Sequence, residues 1–171
     1  NYNSNLSKKI LYWYDNNKRM LPWRLISSKK KLGFYTLVSE FMLQQTQIKT
    51  VLPYFIRFIK RFPNVGKLSH ASIRSILKQW EGLGYYSRAK NLHLTSKIIC
   101  KKYSEKIPKE ISDLKLLPGI GDYTASIIMA VVNNKPHIAF DGNVKRVVRR
   151  FFALNYEENS ENLKLMKYKS N

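Results

Sequence analysis

The chain has 171 residues, 44% of them hydrophobic, with 31 Lys and Arg against 11 Asp and Glu, a formal net charge of +20. That length suits one domain, or one domain with a fragment, and supplies a real core; the pI of about 10.1 is the footprint of a nucleic-acid binder, although an anionic membrane or another acidic partner would also attract such a charge. No apolar run approaches the ~20 residues of a membrane span, the polar "NYNSNLSKK" start is not a signal peptide, and the single cysteine, Cys100, suggests a reducing compartment and excludes an internal disulfide or an all-cysteine metal or iron–sulfur site within these residues.

Helical periodicity dominates the chain. Residues 6–15 ("LSKKILYWYD") carry apolar residues at helical spacing, and Phe34, Leu37, Val38 and Phe41 follow the i, i+3, i+4, i+7 rule. The lysines 29–31 between them read as an exposed loop. Residues 71–80 form a short amphipathic helix. Residues 86–103 put Tyr86, Ala89, His93, Ser96, Cys100 and Tyr103 on one stripe. Residues 123–133 are small and apolar, as in a helix buried among others, and 143–154 ("NVKRVVRRFFAL") are helical with a basic face. Breaks fall at Pro63-Asn64, Gly82 to Gly84, Pro108, Pro118 to Gly121, Pro136 and Asp141-Gly142. No useful alternating strand and no repeat occur. The fold class is therefore all-α, a compact domain of short helices, with a charged tail after Asn155.

Several positions carry possible chemistry. In "LPGIGDYTA" (117–125), Pro118, Gly119 and Gly121 make a tight turn that runs straight into a helix. Unpaired amides and the positive end of the helix dipole then face whatever lies in front, which makes a phosphate cradle. A plain helix–turn–helix connector reads as well. Glu40 sits in the apolar helix "TLVSEFMLQQTQ". Desolvated there, it would keep its proton to higher pH and serve as a general acid. The commoner outcome for such a pattern is a solvent-facing glutamate paired with Lys or Arg. In "AFDGNVKRV", Asp141 or Asn143 caps the following helix, and a fixed carboxylate there could also stabilise a developing cation. The amides of Gln44, Gln45 and Gln47, and "EGLGYYSR" (81–88) with its Gly-x-Gly turn, two tyrosines and an arginine, suit insertion into a base stack. Tyr86 lies on the apolar stripe and reads as core, whereas Tyr85 beside the glycines does not. His70, His93 and His137 have no metal-like spacing.

Together "WYD" (13–15), "LPWR" (21–24), "SEFMLQQTQ" (39–47), "RFP" (61–63), "WEGLGYYSRAKNLH" (80–93), "LPGIGDYTA" (117–125) and "DGNVKRV" (141–147) resemble the helix–hairpin–helix DNA glycosylases of base excision repair, most closely the adenine glycosylases of the MutY type. The resemblance implies a fold with residues 1–28 as an N-terminal helix of the flanking cluster domain. Residues 29–135 would be a six-helix barrel with the hairpin at about 110–133, and 136–171 an incomplete return to the flanking domain. It implies that Glu40 protonates an extruded adenine and that Asp141 stabilises the cation at the sugar. Tyr123 and Asn143 would hold that site together. Gln45 and Tyr85 would fill or wedge the stack, Arg19 and Trp23 would lie near the base pocket, and Leu117, Pro118, Gly119, Ile120 and Gly121 would hold the DNA backbone.

The implied activity is monofunctional: bifunctional relatives carry a lysine where this chain has Tyr123. The implied partner is double-stranded DNA holding adenine opposite 8-oxoguanine or guanine, met by a monomer in the bacterial cytoplasm, at the nucleoid, with no membrane involved. Two departures stand out. Residues 25–35 look longer than the usual connection, and Asp122 sets an anion beside the cradle, where it should weaken binding. The family also continues with further helices, four cysteines that bind a [4Fe–4S] cluster, and a domain reading 8-oxoguanine, so the chain reads as C-terminally truncated and holds no cofactor of its own. The alternatives are a thymine-mismatch or endonuclease III-like glycosylase, or an inactive DNA-binding remnant.

Overall fold

The computed structural model describes residues 2–151 and 153, with side chains from residue 7 onward. The tail beyond Asn155 and the last residues of the expected 143–154 helix lie outside the described residues. Nine helices are described: α1 (Tyr2–Asn17), α2 (Lys29–Leu43), α3 (Ile48–Arg61), α4 (Val65–Ser69), α5 (Ile73–Trp80), α6 (Ser87–Tyr103), α7 (Ile111–Lys115), α8 (Asp122–Val131) and α9 (Gly142–Phe151). There is no strand among the described residues. None of these helices is long and apolar enough to cross a membrane.

The apolar spacing of α2 explains its place. Phe34, Leu37, Val38 and Phe41 all face inward and are buried, and burying each such side chain stabilises the fold by roughly 1.5–3 kcal/mol. Around this face α2 packs on α3, α6 and α8, while α6 packs on α4 and α5 as well. Aromatic edges knit the interior: Phe58 meets Phe62 at 5.0 Å and Trp80 at 5.9 Å, and Phe55 meets Trp23 at 4.9 Å. Polar side chains close the helix starts: Asn64 Oδ1 accepts from the Lys67 N–H at 2.8 Å, and Ser72 Oγ from the Ser75 N–H at 3.2 Å.

Two features depart from the sequence reading, at Lys29 to Lys31 and at Tyr86. Lys29, Lys30 and Lys31 form the exposed first turn of α2 rather than a loop, so the stretch that looked long (25–35) is largely helix. The lysines are good helix formers and need no burial to continue the turn. Helix α3 runs through Pro53, and Val51, Phe55, Phe58 and Ile59 bury one strongly amphipathic face of it. Tyr86, expected in the core with the rest of its stripe, is 43% exposed, because it caps α6 and lies beyond the packed part of the helix. At the two ends of the chain, α1 exposes Ile10, Leu11 and Trp13, and no described residue of α9 is buried.

Candidate active site

A cleft of about 790 Å³ opens between one face of α2, α8, the start of α9 and the segment from Leu21 to Ile26. Glu40, Tyr123, Asp141 and Asn143 all line it, so positions spread along the whole chain meet in one place. Trp23 is buried, forms part of the wall and sets its ring edge on Phe55. Arg19 is exposed and lies outside the lining; Arg24 lines the cleft in its stead. The turn closed by the Arg24 N–H on Leu21 O, at 2.8 Å, sets the buried Trp23 and the exposed Arg24 side by side on the cleft wall, whereas Arg19, past the end of α1, lies outside it.

Glu40 follows directly on the buried Leu37, Val38 and Ser39, and its carboxyl shares their dry surroundings. Burial raises its pKa from 4.5 to about 7, with the Arg24 guanidinium pulling the other way. Near neutrality the carboxyl is thus shared between acid and anion, the range in which a general acid works well. Of the two sequence readings, the desolvated one describes this residue. Tyr123, 44% exposed, has its phenol pushed up first by burial and then by the negative charge of Glu40 and of Asp141. One hydroxyl therefore feels both carboxylates and stays a proton donor.

Asp141 caps α9. Its Oδ1 accepts from the Val144 N–H at 2.7 Å, and Asn143 Nδ2 lies 3.4 Å from Oδ2. Asn143 does not cap; its Oδ1 accepts from Arg146 at 2.9 Å. The cap and the carboxylate at the cleft are one and the same group: the helix start fixes its place on the cleft wall.

The hairpin between α7 and α8 divides its labour. Leu117 and Ile120 are buried and anchor the loop, and Pro118 O accepts from Thr95 Oγ1 at 2.9 Å. Gly119 has φ +80, and a Cβ there would stand 2.7 Å from Phe41 Cε1, so packing and backbone both demand glycine. Gly121 has an ordinary φ and nothing within 4 Å of a built Cβ. Its backbone is open to an incoming group at the positive end of α8. Asp122 does not stand as a bare anion beside that opening, since Lys115 Nζ pairs with its Oδ1 at 2.6 Å.

Gln45 and Tyr85 are both exposed and both left-handed, at φ +58 and +48, on the turns that follow α2 and precede α6. Arg88, expected with the exposed loop, is only 6% exposed and lies between those turns. Arg24 is an addition to the residues that the sequence analysis named; Thr46 and Gln47, from the amide-rich turn, line the cleft as well, and Arg88 is an internal strut rather than part of an exposed loop. The composition of "QQTQ" and "YYSR" was the available signal, but which members turn outward depends on the turn geometry.

A four-cysteine cluster does not fit this chain. Its one cysteine, Cys100, takes a hydrogen bond from Ser69 Oγ at 3.1 Å. No group of three or more His, Cys, Asp or Glu converges among the described residues. His93 is buried with Nε2 3.3 Å from Ser69 O, a structural contact.

Residues 38–168 match the family model described as "HhH-GPD superfamily base excision DNA repair protein". The chain is 45% identical over 147 residues to an adenine DNA glycosylase of Buchnera aphidicola, covering 85% of this chain and 41% of that one. It is 35% identical over 156 residues to the adenine DNA glycosylase of Homo sapiens, covering 88% and 29%. The chain thus spans well under half the length of these relatives. Among solved structures, a thermostable thymine-DNA glycosylase superposes with a TM-score of 0.84 at 23% identity, over 98% of this chain and 76% of that one. A trapped endonuclease III–DNA covalent intermediate gives 0.73 at 18% identity, over 95% and 72%. The fold is shared with both. On the strength of the matched residues, this chain belongs to the HhH-GPD superfamily of base excision DNA repair proteins.

Proposed function

We propose that this chain is the catalytic part of a monofunctional adenine DNA glycosylase, acting on adenine opposite 8-oxoguanine or guanine in double-stranded DNA. The observation that carries the reading is Glu40, holding its proton to about 7, in one cleft with Asp141. Cleaving an N-glycosidic bond needs a better leaving group and a stabilised cation. Glu40 gives its proton to a ring nitrogen of the base, the bond electrons leave with the base, and Asp141 faces the positive charge left on the sugar. Water then adds to the anomeric carbon and its proton passes to the carboxylate left on Glu40, which restores the acid. Tyr123 and Asn143 keep the two carboxylates in register, while Trp23 and Arg24 wall the pocket.

The base must first leave the duplex, at a cost of a few kcal/mol. The amides at the start of α8, with Gly121 open before them, take a backbone phosphate, and Gln45 and Tyr85 stand where a wedge is needed. The net charge of +20 favours such phosphate contacts. DNA as the target sets the protein to work where chromosomal DNA lies, as a monomer on one lesion. Lyase chemistry needs an amine at the sugar, and among the described residues no lysine lines the cleft.

The test is release of free base from duplexes holding A:8-oxoguanine, A:G or T:G, with borohydride added in parallel. Adenine release without a trapped covalent adduct is expected. Thymine release, or a strong trapped band, would assign the chain to another branch. Tight binding with no release from any duplex would make it a DNA-binding remnant.

A further inference from the structure

Arg88 is a buried cation with no acidic partner among the described residues, and backbone carbonyls hold it. On one side, Nη1 donates to Met42 O at 2.8 Å, to Gln44 O and to Thr46 Oγ1 at 3.1 Å, at the negative end of α2. On the other, Nη2 donates to Gly84 O at 3.2 Å and Nε reaches Tyr85 O at 3.4 Å. The Tyr85 ring centre lies 5.3 Å from the guanidinium carbon. One planar fork therefore spans two turns some forty residues apart in the sequence, bonded to Met42, Gln44 and Thr46 on one side and to Gly84 and Tyr85 on the other. Each turn carries an exposed non-glycine residue in the left-handed region, Gln45 and Tyr85. Side chains adopt that conformation at a cost, and it persists only where the surroundings impose it.

We propose that Arg88 is a positioning residue that locks Gln45 and Tyr85 into one two-pronged wedge, so that extrusion of the base depends on its fork while capture of the backbone does not. The inference rests on the glycosylase reading for what the wedge does. Lysine would keep the charge at the end of α2, yet a single ammonium cannot make the planar, divergent set of bonds that reaches the second turn. The Tyr85 turn would be released, and the two prongs would lose their register. Of the hairpin contacts, that from Thr95 to Pro118 stands apart from the guanidinium, and Gln44, which donates to Gly119 O, keeps a cation at its own carbonyl when lysine replaces Arg88.

The experiment compares Arg88→Lys with the unaltered chain on two duplexes of one sequence. In the first, the target adenine is paired opposite 8-oxoguanine. In the second, it stands opposite an abasic analogue and needs little extrusion. 2-Aminopurine in place of the adenine reports extrusion by fluorescence without any excision. The variant should lose about 10- to 100-fold in single-turnover excision on the paired duplex, the scale of a small misplacement, with a matching loss of the fluorescence rise. On the unpaired duplex its rate should equal that of the unaltered chain, and plain-duplex affinity should not change.

Equal losses on both duplexes would overturn the inference, since Arg88 would then merely support the helix of Glu40. If the unaltered chain extrudes 2-aminopurine but releases no base, the glycosylase reading fails and the fluorescence arm still decides on Arg88. If it extrudes nothing, the wedge itself is absent and the inference falls. Should Arg88→Lys unfold by circular dichroism, Gln45→Gly, Tyr85→Gly and the double variant take its place. Prongs of one wedge lose no more together than the worse single change, and independent, additive losses would overturn the proposal.

Discussion

Gln44 ties the helix of Glu40 to the hairpin: its Nε2 donates to Gly119 O at 3.1 Å while its own N–H donates to Glu40 O at 3.2 Å. One residue thus fixes the distance between the group assigned to the proton and the loop assigned to phosphate. Gln44→Ala should cost about 1 kcal/mol of stability, the usual net worth of one hydrogen bond. Excision should fall more than DNA affinity, because each part survives and only their spacing loosens. Urea unfolding and single-turnover rates check this, and a fall in affinity as large as the fall in rate would contradict it.

Glu40 makes the pH dependence specific. Its unfolded carboxyl ionises near 4.5 and its folded one near 7. Between those values the folded state binds more protons, so stability falls as pH rises from about 4.5 to 7 and is level above. The swing is on the order of 3 kcal/mol at most. Glu40→Gln should remove that slope and leave the protein more stable at pH 8 than the unaltered chain. Excision should be flat below pH 7 and fall about tenfold per unit above it, as the acid form is titrated away. A Glu40→Gln variant that still excises would remove Glu40 from the mechanism.

The two hairpin glycines should fail differently. Gly119→Ala meets Phe41 and a left-handed backbone, so it should lose at least roughly 1–2 kcal/mol of stability. Gly121→Ala has open space and an ordinary φ, so its melting temperature should hold. Affinity for every duplex should nevertheless fall, and the salt dependence of binding should become shallower by up to about one phosphate contact. A Gly121→Ala chain that binds DNA normally would show that no phosphate approaches there.

Asp141 allows cap and charge to be separated. Asparagine can still accept from the Val144 N–H, so Asp141→Asn should change stability by only a few tenths of a kcal/mol. Excision should fall on the order of 100- to 1,000-fold, because the neutral amide no longer faces a developing cation. Asp141→Ala should lose the cap as well, about 1 kcal/mol. Equal stability for the Asn and Ala variants would mean that the cap contributes nothing.

Much of this protein was legible from residue order. The i, i+3, i+4 spacing of Phe34, Leu37, Val38 and Phe41 dictates both a helix and the face it buries, since helical period and apolar pattern are local properties. The paired glycines before the apolar run of α8 marked the hairpin for the same reason. The excess of Lys and Arg pointed to a polyanion without any structure. The lysines 29–31 misled because a charged, exposed run looks like a loop, yet lysine is a good helix former and needs no burial to begin a turn.

Tertiary structure decided what local order could not. Whether Glu40 keeps its proton depends on how much water its neighbours exclude, and those neighbours come from α2, from the Trp23–Arg24 turn and from α8. Arg24 rather than Arg19 lines the cleft because the Leu21–Arg24 turn lies along its wall and the stretch just after α1 does not. Gly119 and Gly121 look alike in "PGIG", yet only the first has Phe41 pressed against it. Arg88 belongs by sequence to an exposed loop and by packing to the interior, where carbonyls from two distant turns converge on it. Burial, field and steric contact are sums over residues far apart in the chain, so only the folded arrangement sets their values.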